Sequence, residues 1–227
     1  MDISDVRVVF GPDELRRVGE FRYRIYIEEQ GKSAVHADPV ARTLIEPADR
    51  RAASTIFWIE RDGRIVGTVR AEILATQHED AEYLKLDTLD FIEPTKIIYF
   101  SRMMVAREAR RSDVTPKLCF LGFQKGLLKD CWLGVLTCKP ALVPLFQTYG
   151  YTPYADEFSH PESGRQVPMA IVGEVDYLSS RAAPLTLWLS AHRADSPFTA
   201  QFLERIARYR ACSSSNPRAR EARALVA

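Results

Sequence analysis

Two β-rich runs, residues 55–60 and 64–73, flank Arg61-Asp62-Gly63. An Asp-Gly step between runs rich in Ile, Val, Thr and Phe marks a tight antiparallel hairpin. A second pattern follows it: a strong strand at 96–105, a basic loop at 107–113, a helix opened by Thr115-Pro116 and running to about residue 129, and a short buried strand at 132–137. A hairpin followed by a strand–helix–strand crossover excludes the strict βαβα alternation of a doubly wound sheet. It predicts an α/β chain with one mixed sheet flanked by helices.

The flanking segments extend this reading. Residues 6–10 form an opening strand, and Pro12-Asp13-Glu14 starts a helix, since proline suits the first turn and acids favour its positive end. Leu15, Val18, Phe21 and Ile25 give that helix its apolar face, and Gly31 ends it. Residues 32–53 and 75–95 read as irregular. Pro140 opens a later helix closed by Gly150, with strands at 151–154 and 166–172. From Val175 the chain reads helical to Cys212, interrupted at Pro184 and Pro197, and then becomes a Ser- and Arg-rich tail. The expected organisation is a domain over 1–174, a helical extension over 175–212 and a flexible tail over 213–227.

Composition excludes several classes. With 227 residues and a formal net charge of +1, no global field points to nucleic acid. No apolar run approaches the ~18 residues of a membrane span. The start, Met1-Asp2-Ile3-Ser4-Asp5, lacks the basic and apolar regions of a secretory signal, which predicts a cytoplasmic protein. The four cysteines show no metal-ligand spacing and read as reduced buried thiols; no metal site is expected.

The order of elements carries a family resemblance. Ile65-Val66-Gly67-Thr68-Val69-Arg70 before Ser101-Arg102-Met103-Met104-Val105 resembles the GNAT acyltransferase superfamily. The stretch from Cys138-Lys139-Pro140 to Tyr149-Gly150-Tyr151 is similar to the last strand–helix–strand of the N-acyl amino acid synthases, relatives of the acyl-homoserine-lactone autoinducer synthases. The resemblance spans residues 6–172 and implies a GNAT-like fold with a helical C-terminal extension. It places Arg24 in the first-helix motif, Glu46 and Asp49 in an acidic pair, Arg70 on the hairpin and Arg102 in a Ser-Arg motif. Three departures stand out. Arg110-Arg111-Ser112-Asp113-Val114-Thr115 lacks the glycines that admit the pyrophosphate of coenzyme A. Phe146 replaces the tyrosine acid of many acetyltransferases. Tyr99 replaces a glutamate usual in lactone-forming synthases.

The activity implied is transfer of a fatty acyl group from a phosphopantetheine thioester to an amine, with acyl carrier protein favoured over acyl-CoA as donor and an amino acid as acceptor. No tightly bound cofactor is implied. Alternatives are acylation of a lysine or ornithine side chain, on a peptide or free, autoinducer synthesis, and an inactive acyl- or carrier-binding module. Aminolysis of a thioester needs a neutral amine, donors for the carbonyl oxygen and proximity. The resemblance puts the pantetheine along Met103, Met104 and Val105. Arg107, Arg110 and Arg111 before a helix N-terminus, with Ser112, Val114 and Thr115, suit its phosphate, and Lys117 and Lys125 extend the basic patch toward a carrier protein. Arg24, Arg70 and Arg102 are expected to converge with Glu46 and Asp49 and to recognise the acceptor carboxylate. Glu72, Glu46 and Asp49 compete as general base, though alternation puts Glu72 on the face of Arg70, where a plain ion pair is equally plausible. Phe100, Phe123 and Phe146 are candidates to line an acyl pocket. The four histidines read as incidental. Direct transfer is preferred over a covalent route through Cys138.

Overall fold

The computed structural model describes residues 3–181, 183, 185–192 and 196–215. In chain order it has strand β1 (Val6–Val8), helix α1 (Pro12–Tyr23) continuing into a π-helical turn (Arg24–Glu29), a small ribbon of β2 (Ala37–Asp38) and β3 (Thr43–Leu44), and the hairpin β4 (Ser54–Arg61) and β5 (Arg64–Ile73). Then come β6 (Ile97–Val105), α2 (Val114–Leu127), β7 (Leu133–Cys138), α3 (Val143–Thr148), β8 (Thr152–Pro153), β9 (Phe158–His160) and β10 (Gly164–Val172). Helices α4 (Val175–Ser179), α5 (Thr186–His192) and α6 (Thr199–Ser215) close the chain.

The main sheet has the order β1-β4-β5-β6-β7-β10-β8, with β9 paired to β10. Only β6 and β7 run parallel, as the crossover through α2 requires. Asp62 and Gly63 both take positive φ at the hairpin tip, as the Asp-Gly step demands. Helix α2 lies close on β6 because Gly122 and Gly126 carry no side chain: a Cβ there would come within 2.6 Å of Phe100 and of Ile98.

Two irregularities shape the centre. Thr68 faces Met104 while Arg70 faces Ser101, so Arg102 and Met103 stand opposite Val69 alone. This is a β-bulge, with Arg102 in the left-handed region at φ +51°. A non-glycine residue there costs about 1 kcal/mol, so the surrounding contacts must hold it. The second irregularity is that β6 and β7 pair only from Ile97 to Phe100 against Leu133 to Leu136. Past that point β6 continues to Val105 and β7 to Cys138, yet they no longer touch as a ladder. The sheet is splayed open where the strands should run side by side.

Leu178, Leu189, Phe202 and Ile206 of the last three helices are buried in the same core as the sheet. The tail expected from residue 213 lies outside the described residues except 213–215, whose backbone continues α6, and Pro184 also lies outside them. Among the described residues no helix is long and apolar enough to cross a membrane, and no cluster of His, Cys, Asp or Glu is arranged to hold a metal ion.

Candidate active site

A cleft of about 560 Å³ opens at the splay. Tyr99 and Phe100 are consecutive residues of β6 and point to opposite faces of the sheet, yet both line the cleft. The cleft therefore passes through the sheet. Met103 and Met104 form one wall, and Thr137, Cys138 and Phe146 form the other. Backbone polarity follows from the ladder. Ala106 donates its N–H to Val66 O at 2.9 Å, so the neighbouring Val105 turns its own N–H and carbonyl away from β5, toward the side where β7 has left. Arg110 Nε donates to that Val105 carbonyl at 3.2 Å, which fixes this arginine at the end of the gap.

A charged network floors one side. Arg22 Nη1 donates to both oxygens of Asp49 at 2.8 Å. Arg70 Nη1 donates to Glu46 at 2.7 Å and to Asp49 at 3.2 Å, and its Nε donates to Ser101 at 2.9 Å. Arg102 Nε donates to Glu46 at 2.9 Å, its Nη2 to Glu46 and, at 3.4 Å, to Glu162. Glu46 and Asp49 sit in one short turn, and the Glu46 N–H donates to Asp49 at 2.8 Å, which locks the two acids together. Burial alone would raise the Glu46 carboxyl, but the bonds from Arg102 and Arg70 hold it at about 2. The network stays ionised at neutral pH.

The structure brings Arg70, Arg102, Glu46 and Asp49 together and leaves Arg24 out. Arg24 is exposed on the far side of α1, its guanidinium 5.4 Å over Phe21 and its Nη2 3.5 Å from the Ile65 carbonyl. Its place in the network belongs to Arg22, which is fully buried. The reason is helical phase: Arg22 falls on the stripe of Val18, Phe21, Ile25 and Tyr26, whereas Arg24 falls opposite it. Glu72 is buried but does not line the cleft. It pairs with Arg51 at 2.9 Å and lies 3.7 Å from His78, so the Arg70–Glu72 pair that alternation allows does not form.

On the donor side, Ser112 Oγ accepts the Val114 N–H at 3.3 Å. Val114 is fully buried, its side chain against Gly67, so it faces no ligand directly. Arg111 is exposed and Thr115 half-buried beside it. Lys117 does not join a basic patch: Asp5 at 2.9 Å and Asp113 at 2.9 Å neutralise it. Phe100 and Phe146 line the cleft, but Phe123 does not. Phe123 borders a separate void of about 20 Å³, room for a single water and not for an acyl chain. Burial raises the Cys138 thiol to about 12, which leaves it a poor nucleophile.

Four further residues reach the cleft without having been singled out. Tyr26 comes from the π-helical turn, a feature frequent at functional sites. Lys32 stacks on the Tyr26 ring at 4.5 Å. Burial, with Lys139 and Arg102 nearby, lowers its ammonium to about 8. Asp80 and Glu162 complete the set. Only Tyr26 carried a sequence signal, its place four residues after Arg22 on the apolar stripe. Of the histidines, His36 and His160 line the cleft. His78 is buried beside it, and the side chain of His192 lies outside the described residues.

With this geometry in place, known proteins give it a context. Residues 17–172 match the family model of the N-acyl amino acid synthase FeeM. The structure of FeeM, an N-acyl amino acid synthase from uncultured soil microbes, is similar with a TM-score of 0.63 at 12% identity, over 81% of this chain and 96% of that one. The CoA-dependent acyl-homoserine lactone synthase BjaI, solved with MTA, gives 0.60 at 15% identity over 79% and 90%. The acyl-homoserine lactone synthase LasI gives 0.59 at 16% over 76% and 91%. At such identities the structural likeness speaks to fold alone. Among curated protein sequences none matches. The family match spans the hairpin, the bulged strand, the splay and the charged network, and on it the chain belongs to the FeeM family of N-acyl amino acid synthases and is an N-acyltransferase of GNAT-like fold, moving an acyl group to an amine.

Proposed function

We propose that the protein transfers a fatty acyl group from the phosphopantetheine thioester of an acyl carrier protein to the α-amine of an amino acid. The observation that carries this reading is the splay between β6 and β7, whose cleft passes through the sheet to the charged network. An extended pantetheine arm has amide groups that need partners, and the Val105 N–H, turned away from β5, offers one as a missing strand would. Its single phosphate suits Arg111, with Arg110, which pairs with Glu29, as a second cation, where no glycine makes space for a pyrophosphate. Met103, Met104, Phe100 and Phe146 give the acyl chain an apolar wall.

The acceptor end is less simply read from the arginines. Three guanidinium groups meet the carboxylates of Glu46, Asp49 and Glu162, so the network is largely self-compensated. Lys32 has no carboxylate partner among the described residues and lines the cleft. With Lys139, which also lines the cleft and has no carboxylate partner among the described residues, it is left to draw an acceptor carboxylate, and Arg102 Nη1, which makes no hydrogen bond among the described residues, is a further donor.

In the reaction the amine nitrogen attacks the thioester carbon, the C–S bond breaks and the thiol departs. Thiolate leaves readily, so Phe146 in place of an acid does not block the step. The test is incubation with acyl-loaded carrier protein, or with acyl-CoA, and a mixture of amino acids, followed by mass spectrometry. The reading expects N-acyl amino acids, formed faster from the carrier-bound donor. Thioester hydrolysis without amide, or acyl binding without turnover, contradicts it.

A further inference from the structure

Four carboxylates line the cleft, and three of them are committed. Glu46 is bonded by Arg70 and Arg102. Glu79 pairs with Arg51 at 2.7 Å. Glu162 accepts the Val35 N–H at 3.0 Å and faces Arg102 at 3.4 Å. Asp80 differs: its carboxylate accepts no hydrogen bond from any described residue, although its side chain is half-buried and lines the cleft.

Its surroundings are defined on every side. From its own turn come Glu79 and His78, whose Nδ1 accepts the Asp80 N–H at 3.1 Å. Arg70 faces it from β5, Tyr99 from β6 and His160 from β9. None of them donates a hydrogen bond to the Asp80 carboxylate among the described residues. Arg70 directs its Nη1 to Glu46 and Asp49 and its Nε to Ser101. His78 turns its other nitrogen to Glu72 at 3.7 Å, and His160 uses Nδ1 to accept the N–H groups of Glu162 and Ser163 at 3.1 and 3.3 Å. A half-buried carboxylate without a protein donor must be met by water or by a cationic ligand. Burial, reinforced by Glu79 and opposed by His78, Arg70 and His160, pushes its carboxyl above the ordinary aspartate value of 3.8, which makes it a stronger base than a free aspartate.

We propose that Asp80 receives the acceptor ammonium and takes its proton as the amide forms. The assignment rests on the amine-acylation reading above. The amine brings three protons. One passes to an Asp80 oxygen and on to solvent, freeing the nitrogen lone pair that then bonds to the carbonyl carbon, one ends on the departing thiol as the C–S bond breaks, and one stays on the amide. Nothing is oxidised or reduced. Lys32 at the acceptor carboxylate and Asp80 at the ammonium give the cleft opposite charges for the two ends of a zwitterion.

The experiment compares wild type with Asp80→Asn and Asp80→Glu, using one acyl-pantetheine thioester and two acceptors, an α-amino acid and the matching aminooxy acid. The aminooxy nitrogen is already neutral near pH 7 and needs no carboxylate to release it. Expected for Asp80→Asn is a loss of about 100-fold or more with the amino acid, the usual range for a lost general base. The aminooxy reaction stays within a few-fold, which also shows that the variant folds. Asp80→Glu recovers part of the loss. In wild type kcat/KM with the amino acid falls toward low pH as the carboxylate takes up a proton, and Asp80→Asn lacks that limb. Equal losses with both acceptors, or an unchanged pH profile, overturn the assignment. Failure of wild type to form any amide overturns the amine-acylation reading itself, a distinct outcome.

Discussion

Arg22 is buried with only one of its terminal nitrogens hydrogen-bonded, to Asp49, while its Nε and Nη2 find no partner among the described residues. Such a group holds its place through charge pairing rather than through a saturated set of bonds. Removing one member of a buried pair typically costs about 3–5 kcal/mol, because the other charge is stranded. Asp49 keeps a second bond to Arg70, so we expect Arg22→Met to sit at the low end, about 3 kcal/mol, measured as the shift of a urea transition. Asp49→Leu on the Arg22→Met background should cost much less than it does alone, since no lone charge remains to be stranded. Losses that simply add would show that the pair is not coupled. The residue scale is also where the sequence was hardest to read. A motif match pointed to Arg24, and only helical phase against Val18, Ile25 and Tyr26 separates it from Arg22. Asp80 had no signal at all. It lies in a stretch without periodicity, and its importance comes from partners that never reach it.

Among the elements, α2 and β6 decide the width of the cleft. Gly122 sits in a regular helix, where replacing glycine by alanine ordinarily gains about 1 kcal/mol. Here the added Cβ would stand 2.6 Å from the Phe100 ring, and overpacking costs about 1–3 kcal/mol. The steric effect wins, so Gly122→Ala should be destabilised by a net ~1 kcal/mol. Because Phe100 also lines the cleft, KM for the acyl donor should rise more than kcat falls. A stabilised variant with unchanged kinetics would contradict the close approach of helix and strand. The hairpin at this scale was legible from Asp62-Gly63, since only special φ values permit the turn. The bulge at Arg102 and Met103 was not, for a non-glycine residue at positive φ leaves no mark in composition. Nor was the short pairing of β6 with β7: both read as strong strands, and strand strength says nothing about whether two strands part.

For the molecule as a whole, a mixed sheet with one parallel pair at its centre and an opening beside that pair follows from the hairpin and the crossover together. Helices α4 to α6 pack on this sheet through Leu178, Leu189 and Phe202, in one core with it. The family match, the open strands and the ionised network belong to one account: a carrier-borne thioester enters between β6 and β7 and meets an amine on the far side. Hydrogen–deuterium exchange tests it most directly, with and without a non-hydrolysable thioether analogue of an acyl-pantetheine. The account predicts that the amides of β6 turned toward the gap, above all Val105, exchange readily in the free protein and are protected when the analogue binds, together with residues 136–139 across the gap. Binding that leaves both segments unprotected, or protects only surfaces away from them, would contradict it.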